Sequence, residues 1–345
     1  MSITKRAVAL LLSLVIFISL FSCRKSNRFS ESYLEYFDTV TVLTVSNVSQ
    51  KEFDEIAYFV KNELKNYHML FDIYNLYEAT NNIKTINDNA GVAPVCVSDE
   101  LIEFLEYSID LYDTTNGYFN IALGSVLKLW HECRENATKE PESARIPDKE
   151  RLIYASLHTN IDDIIIDRAS GTVFLKDKEM SIDVGAIAKG YTAQKIYDKL
   201  RALGYADFVL SIGGNVIASG NKNGTSAWQI GIEDPSDTSK TICSLSLSER
   251  SLVTSGSYQR YYTVGEVRYH HIINPYSLMP ENNYLAVSVI HTDSGLADAM
   301  STALFNMSYE IGGELVKNTA ELEAMWILND GTIKYSENFL NYVNN

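Results

Sequence analysis

The chain is short of positive charge. Its 29 Lys and Arg stand against 44 Asp and Glu, which leaves a net charge of −15 over 345 residues. A nucleic-acid surface needs clustered Lys and Arg, so this balance excludes an extended one. Otherwise the composition, with 46% hydrophobic and 21% charged residues, is that of an ordinary globular protein. Collagen-like, disordered and coiled-coil proteins are thereby excluded.

Cysteines are scarce, and the common nucleotide-binding loops are missing. There are four cysteines, and none forms a CxxC pair. Because Cys96, Cys133 and Cys243 lie far apart in the chain, the sequence supports neither a zinc site nor a disulfide framework. The GxGxxG fingerprint is absent, and the Gly-Lys order of a Walker A loop is reversed at Lys189 and Gly190. Neither a Rossmann-type site nor a P-loop is supported.

The longest largely apolar run, residues 7–21, follows Lys5 and Arg6 at the amino terminus. It is too short to span a hydrocarbon core of ~30 Å comfortably, and its basic start is typical of a secretory signal peptide. The run leads into Leu-Phe-Ser-Cys ending at Cys23, which resembles a bacterial lipobox. The resemblance implies cleavage before Cys23 and diacylglycerol on its sulfur, with more than one acyl chain for stable anchoring. A single uncleaved transmembrane anchor is the alternative.

These features divide the chain into three parts. Residues 1–22 are predicted to be the signal peptide, residues 23–36 the lipidated cysteine with a polar tether, and residues 37–335 the folded domain. A tether of this length spans at most ~45 Å when extended. We therefore expect an extracytoplasmic protein that is lipid-anchored to the cell membrane, on the outer face of the cytoplasmic membrane or on the periplasmic side.

The hydrophobic periodicity of the domain predicts both helices and short strands. Helices are predicted at 52–67, from Ser98 to Gly117, from Asn120 to Trp130, at 186–203 and at 294–307, with a long loop at 72–91 and a polar connector at 135–147. Strands are predicted at 39–46, 161–166, 172–176, 206–212, 215–219, 228–233, 242–247, 251–255, 258–264, 267–273 and 284–291. This mixture lacks regular βαβ alternation and therefore predicts an α+β fold.

Two segments combine glycine with strand-like or charged residues. At 181–191 an apolar strand ends at Asp183, turns through Gly185 and enters a helix near Lys189. The free N–H groups of a helix start, together with a cation, favour anion binding, although the pattern alone is a weak phosphate signal. At 210–220 two glycines separate strand-like runs, and a plain hairpin is the favoured interpretation.

Two further segments carry candidate ligands. His270 and His271 are adjacent on a predicted strand and therefore point to opposite faces, so at most one enters a given site. Without further context a structural role is favoured for each. Asp298 and Thr302 share one face of a predicted helix, and two oxygen donors suit Mg²⁺ or Ca²⁺ rather than zinc. A lone Asp and Thr at this spacing usually have no function.

Taken in order, these motifs resemble those of the ApbE flavin transferases, which are FAD:protein FMN transferases. The matching segments are Asp-Val-Gly-Ala-Ile-Ala-Lys-Gly-Tyr at 183–191, Gly-Gly-Asn at 213–215, Thr-Ser-Gly-Ser-Tyr at 254–258, His-Ile-Ile-Asn-Pro at 271–275 and Ala-Asp-Ala-Met-Ser-Thr-Ala-Leu at 297–304. Segments 81–87 and 115–120 also match, and the resemblance covers roughly residues 36–330. It implies a two-lobed α+β fold with mixed or antiparallel sheets, flanking helices and an FAD site between the lobes.

The resemblance also implies roles for individual residues. The residues implied to contact FAD are Tyr118, Phe119, Asn120, Asp183, Lys189 and Ile273. The implied Mg²⁺ ligands are the backbone carbonyl of Ala186, the carboxylate of Asp298 and the hydroxyl of Thr302. His271 is the candidate general base, and Asp298 would also position the acceptor hydroxyl through the metal. Asn120 and Asn274 replace the commoner Asp, and Ser301 stands where some members carry a second Asp.

The predicted function is Mg²⁺-dependent transfer of FMN from FAD to a threonine or serine hydroxyl of an acceptor protein, with release of AMP. The resemblance implies acceptors with a Ser/Thr-Gly-Ala-Ser/Thr-like motif, often membrane or exported redox proteins. Two alternatives remain open at this point. One is an FAD pyrophosphatase that yields FMN and AMP, and the other is a non-catalytic flavin-binding lipoprotein.

Overall fold

The computed structural model describes residues 27–344. The predicted signal peptide and Cys23 therefore lie outside the described residues. Among residues 27–344, no helix combines the length and apolar character needed to cross a bilayer.

Fifteen strands are present in the described part of the chain. Their bounds are β1 Arg28–Tyr33, β2 Thr41–Ser46, β3 Val95–Cys96, β4 Ile164–Asp167, β5 Thr172–Leu175, β6 Phe208–Ile212, β7 Asn215–Ser219, β8 Trp228–Asp234, β9 Asp237–Leu247, β10 Arg250–Gly256, β11 Tyr261–Val264, β12 Val267–His270, β13 Tyr284–His291, β14 Glu323–Leu328 and β15 Ile333–Tyr335. Eight form one sheet in the order β1-β2-β6-β7-β10-β13-β14-β15, and β3-β5-β4 form a small sheet. The hairpins β8-β9 and β11-β12 stand apart, and every pairing is antiparallel.

Eight α-helices accompany these strands in the same residues. Their bounds are α1 Gln50–Phe71, α2 Ile83–Asp88, α3 Asp99–Thr114, α4 Gly124–Lys139, α5 Lys149–Ser156, α6 Ala188–Ala202, α7 Ser294–Asn306 and α8 Tyr309–Asn318. The α+β prediction and the antiparallel sheets are therefore confirmed.

The eight-stranded sheet is covered on both faces. Successive side chains of a strand point to opposite faces, and β10 illustrates this. Val253 joins the largest core, which contains α3, α6 and α7, whereas its neighbour Leu252 packs with the β8-β9 hairpin and Phe339. A third core packs α1 and α6 on β1, β2 and β6, and a fourth gathers α4, α5 and the β11-β12 hairpin. The helix-covered face carries the motifs of the sequence analysis.

The structure corrects three predictions about residues 23–147. The polar tether predicted over 23–36 is wrong for Arg28–Tyr33, which pairs along β2 as the edge strand β1. The long loop predicted over 72–91 contains α2, because Asn82 accepts a hydrogen bond from Thr85 N in a capping box. The helix predicted to end at Trp130 continues to Lys139, so the connector begins later than predicted.

Candidate active site

The segment 181–191 forms the predicted strand end, turn and helix start. Asp183 N donates to Ile121 O at 2.9 Å, and the Asp183 carboxylate accepts from Gly185 N at 2.9 Å. Helix α6 then begins without a side-chain cap of its own. Lys189 Nζ bends back to donate to Gly185 O at 3.3 Å. The turn thus holds a carboxylate and an ammonium group beside the positive end of a helix.

Asp298, on α7, supplies the missing cap to α6. Its Oδ2 accepts a hydrogen bond from Gly190 N at 2.8 Å. The side chain is buried, and burial raises the pKa of Asp298, while the charge of Lys189 and the Gly190 N–H act in the opposite direction. A buried carboxylate of this kind needs a cationic or hydrogen-bonding partner. No carboxylate–cation pair within 4.0 Å involves Asp298 in residues 27–344.

The two helices meet so closely that only glycine fits. A Cβ on Gly190 would lie 2.3 Å from Ser294 O and 2.5 Å from Asp298 Cβ. The amino terminus of α7 is fixed from two sides. Ser294 N donates to Gln194 Oε1 at 2.9 Å, and Tyr107 Oη donates to the cap residue Asp293 at 3.0 Å. The position of Asp298 relative to α6 is therefore set by packing rather than by a loop.

The oxygen donors around Asp298 fit a hard divalent cation. The Asn215 amide lies beside the Asp298 carboxylate and opposes the rise in its pKa that burial causes. Thr302, one turn further along α7, is half-buried, and its hydroxyl has no partner within residues 27–344. Ala186 lies in the turn that leads into α6. Ser301 is not available, since its hydroxyl donates to Asp298 O at 2.8 Å and contacts Ser255 Oγ at 2.8 Å.

The described residues contain no cluster of three or more His, Cys, Asp and Glu side chains arranged to hold a metal. A cation at Asp298 would therefore take its remaining ligands from water and from a phosphorylated substrate, which is how Mg²⁺ is usually held.

The segment 118–120 lies against the same turn through the Ile121–Asp183 hydrogen bond. Phe119 is 1% exposed and belongs to the core, so its side chain does not reach a ligand. Both the oxygen and the nitrogen of the Asn120 amide are hydrogen-bonded within the protein, because Oδ1 accepts from Ala122 N at 2.8 Å and Nδ2 donates to Thr159 O at 3.1 Å. An Asp could not make the second bond. Of the three predicted contacts, Tyr118 and Asn120 are half-buried, and Tyr118 is the one whose side chain makes no hydrogen bond within residues 27–344.

The segment 270–276 forms another wall. Ile273 is buried, and three residues later the ring of Tyr276 packs on Tyr118 with centroids 4.9 Å apart, while its hydroxyl donates to Asn116 O. Asn274 donates to Glu281 at 2.8 Å and to Asn306 O at 3.1 Å, which again requires an amide rather than a carboxylate. The predicted FAD segments are thus joined by direct contacts.

The two histidines have different surroundings, but not because both lie on the strand predicted over 267–273, since β12 ends at His270 and His271 lies just beyond it. His270 packs on Phe305, its Nε2 donates to Glu281 O at 2.6 Å, and its Nδ1 accepts from Ile272 N at 3.2 Å. Both ring nitrogens are therefore occupied. His271 Nδ1 faces Arg260 O at 3.2 Å. Because a carbonyl can only accept, Nδ1 carries the proton and Nε2 is left as a free acceptor.

The His271 ring is held in its neutral form. Burial lowers its pKa to about 3, and the neighbouring charges of Arg260 and Arg134 act in the same direction. His271 makes no direct hydrogen bond to Asp298 or Asp183 within the described residues. Arg134 lies near both groups, since its charge lowers the pKa of His271 and the charge of Asp183 in turn acts to raise the pKa of Arg134.

Sequence reasoning missed a group formed by α4 and the loop that follows α1. Tyr74 Oη contacts His131 Nδ1 at 3.3 Å, and burial lowers the pKa of His131. Asp72 organises this loop by accepting from Tyr74 N at 2.7 Å and Asn75 N at 3.0 Å. The spacing of His131 and Arg134, which share a helix face, was the available signal.

Comparisons with known proteins agree with the motifs. A model described as the ApbE family matches residues 37–326. An FAD:protein FMN transferase of Klebsiella pneumoniae is 33% identical over 258 residues, which are 74% of this chain and 78% of that protein. An FAD:protein FMN transferase of Treponema pallidum is 33% identical over 271 residues, which are 76% of this chain and 74% of that protein. The crystal structure of the ApbE protein from Thermotoga maritima aligns with a TM-score of 0.81 at 27% identity, over 92% of this chain and 100% of that chain.

Proposed function

Since the chain belongs to the ApbE family, we propose that the site around Asp183, Lys189 and Asp298 performs its reaction with Mg²⁺. The activity is that of an FAD:protein FMN transferase, which flavinylates acceptor proteins. The observation that carries the metal assignment is the buried Asp298 carboxylate, which caps α6 with one oxygen and lies one helical turn from the unpartnered hydroxyl of Thr302 in the described residues.

The proposed roles follow from the contacts of each residue. Asp298, Thr302 and the Ala186 carbonyl would hold Mg²⁺, which when bound offsets the charge on pyrophosphate oxygens. Lys189 and the start of α6 add positive potential at the same place. Asp183 would contact FAD from the turn, and Tyr118 and Ile273 would bound the flavin pocket. We also propose that Phe119 and Asn120 contribute only backbone atoms.

The chemistry is transfer of a phosphoryl group between two oxygens. The acceptor hydroxyl oxygen forms a bond to the phosphorus of the FMN half, and the bond from that phosphorus to the bridging oxygen breaks. AMP leaves with the bridging oxygen. The hydroxyl proton goes to His271 Nε2, the ring nitrogen that is free to accept it. Asp298 would position the acceptor hydroxyl through the metal.

A first experiment separates transfer from the two alternatives. AMP release from FAD and Mg²⁺ is measured with and without an acceptor that carries a Ser/Thr-Gly-Ala-Ser/Thr-like motif, such as an exported redox subunit. We expect release that depends on the acceptor. Equal release in both samples would identify a pyrophosphatase, and intact FAD in both would identify a flavin-binding protein.

We expect the His271→Asn variant to flavinylate the acceptor about a hundred-fold more slowly, which is the lower end for loss of a general base. The wild-type pH–rate profile carries a second test. Because the pKa of His271 is lowered to about 3, the ring stays neutral on acidification from pH 8 to about 5, and no decline should start near pH 6.5. His270→Asn is unsuitable as a control because that ring is structural. A wild-type rate in His271→Asn would contradict the assignment.

We further propose that the protein is anchored outside the cytoplasm through lipid on Cys23. The support is the basic and apolar leader in the sequence. Since β1 begins at Arg28, only residues 24–27 separate Cys23 from the folded domain, about 14 Å when extended. Acceptor segments would therefore have to lie close to the membrane surface.

The anchor is tested by fractionating host cells that express Cys23→Ala. We expect the variant to leave the membrane fraction, while the matched control Cys96→Ala, which alters an exposed cysteine of the folded domain, stays membrane-bound. If Cys23→Ala remains as firmly bound as the parent, an uncleaved helical anchor is the better account.

A further inference from the structure

Two arginines, Arg134 and Arg260, lie at the two elements that meet where α4 packs on the β11-β12 hairpin. Trp130 of α4 packs on the hairpin, with its ring centroid 6.5 Å from that of Tyr262 and 5.9 Å from that of Tyr269. His131 and Arg134 follow on the same helix, three positions apart and thus on one face. Arg260 comes directly before β11 and is tied to the far strand of the hairpin, because His271 N donates to Arg260 O at 3.1 Å.

Neither arginine has a counter-ion. No carboxylate lies within 4.0 Å of the Arg134 or Arg260 guanidinium in residues 27–344. Arg134 is half-buried, and no described hydrogen bond starts from its side chain, whereas Arg260 makes one weak bond of 3.5 Å to Asp38 O. By contrast, Arg151, Arg168, Arg201 and Arg250 each form an ion pair with a glutamate.

Arg134 is half-buried and Arg260 is exposed, and holding two like charges near each other is unfavourable without an anion between them. Burial and the charge of Arg260 both lower the pKa of Arg134, which reflects this cost. Arg260 lies directly beside His271, because its carbonyl accepts from His271 N at 3.1 Å and contacts His271 Nδ1 at 3.2 Å. The charges of Arg260 and Arg134 add to burial in lowering the pKa of His271. Guanidinium groups have the planar donor geometry that matches phosphate oxygens.

We propose that Arg134 and Arg260 form an anion subsite that binds the phosphate of the FMN half of FAD, opposite the metal group at Asp298. This inference rests on the proposed function. The subsite would hold the phosphorus that is attacked beside the base His271, whereas Lys189 and Asp298 would face the leaving AMP phosphate.

The test compares ligands with and without phosphate. Binding of FAD, FMN and riboflavin to the wild type and to Arg134→Ala is measured by quenching of flavin fluorescence, without Mg²⁺ or acceptor. We expect FAD and FMN to bind at least ten-fold more weakly to the variant, as loss of a charge-assisted hydrogen bond predicts, and riboflavin to change less than two-fold. Arg134→Lys should recover only part of the lost FAD and FMN affinity, since lysine keeps the positive charge but not the planar donor geometry of the guanidinium group.

The matched control is Lys128→Ala, which removes the same charge from an exposed position of α4. It should leave all three affinities unchanged. If Arg134→Ala weakens the binding of riboflavin and FMN equally, the substitution has damaged the pocket. If FMN binding is unchanged, Arg134 does not contact the phosphate. Either result overturns the proposal. Because no transfer is measured, the outcome is separate from the test of transferase activity.

Discussion

We expect Asp298→Asn to release AMP at least a thousand-fold more slowly than the wild type in the presence of Mg²⁺. The substitution keeps the size of the side chain but replaces the buried carboxylate, which is the proposed metal ligand, by a neutral amide. Loss of about 4 kcal/mol of transition-state stabilisation corresponds to this factor and lies within what a catalytic metal contributes. AMP release is measured by chromatography over a range of Mg²⁺ concentrations.

Asp110→Asn is the matched control for this variant. Asp110 is exposed on α3, its carboxylate has no partner in the described residues, and the same chemical change there should leave the Mg²⁺ dependence unaltered. Folding of Asp298→Asn is checked by its denaturant midpoint. A folded Asp298→Asn with an unchanged rate and an unchanged Mg²⁺ requirement would contradict the metal assignment.

We expect Gly190→Ala to destabilise the fold by about 3 kcal/mol, the upper part of the range for overpacking. The new methyl group would lie 2.3 Å from Ser294 O and 2.5 Å from Asp298 Cβ, so α6 and α7 would have to move apart. That movement would also break the Gly190–Asp298 hydrogen bond. We therefore expect more than a hundred-fold less AMP release from the protein that remains folded.

Gly313→Ala provides the opposite case. Gly313 also lies inside a helix, α8, but an added Cβ meets nothing within 4 Å. Helix propensity then predicts stabilisation by about 0.5–1 kcal/mol with normal activity. Urea unfolding of both variants measures the difference. Equal stability of the two alanine variants would mean that the α6–α7 contact does not constrain Asp298.

The sequence was sufficient where local signals determine the structure. The hairpin at Gly213 and Gly214 has both residues at positive φ, as two glycines between strands predict. Asp298 and Thr302 lie on one helix because their spacing follows the helical repeat. These elements depend on contacts a few residues apart, and the motifs fixed their order along the chain.

Hydrophobic periodicity does not predict contacts between segments that are far apart in the sequence. Strand β1 has a single buried residue, Tyr33, so its polar sequence was interpreted as a tether, and only pairing with β2 makes it a strand. The hydrogen bond from Tyr107 to Asp293 joins residues 186 positions apart. Arg134 belongs to the site only because α4 packs on a hairpin that follows more than a hundred residues later.

Intact-mass spectrometry of an acceptor protein tests the central claim most directly. An exported redox subunit with the Ser/Thr-Gly-Ala-Ser/Thr-like motif is incubated with the protein, FAD and Mg²⁺, and again with a chelator in place of Mg²⁺. We predict a gain equal to one FMN less one water, located on a threonine or serine of the motif, and no gain with the chelator. An unmodified acceptor in the presence of free FMN and AMP would contradict the account.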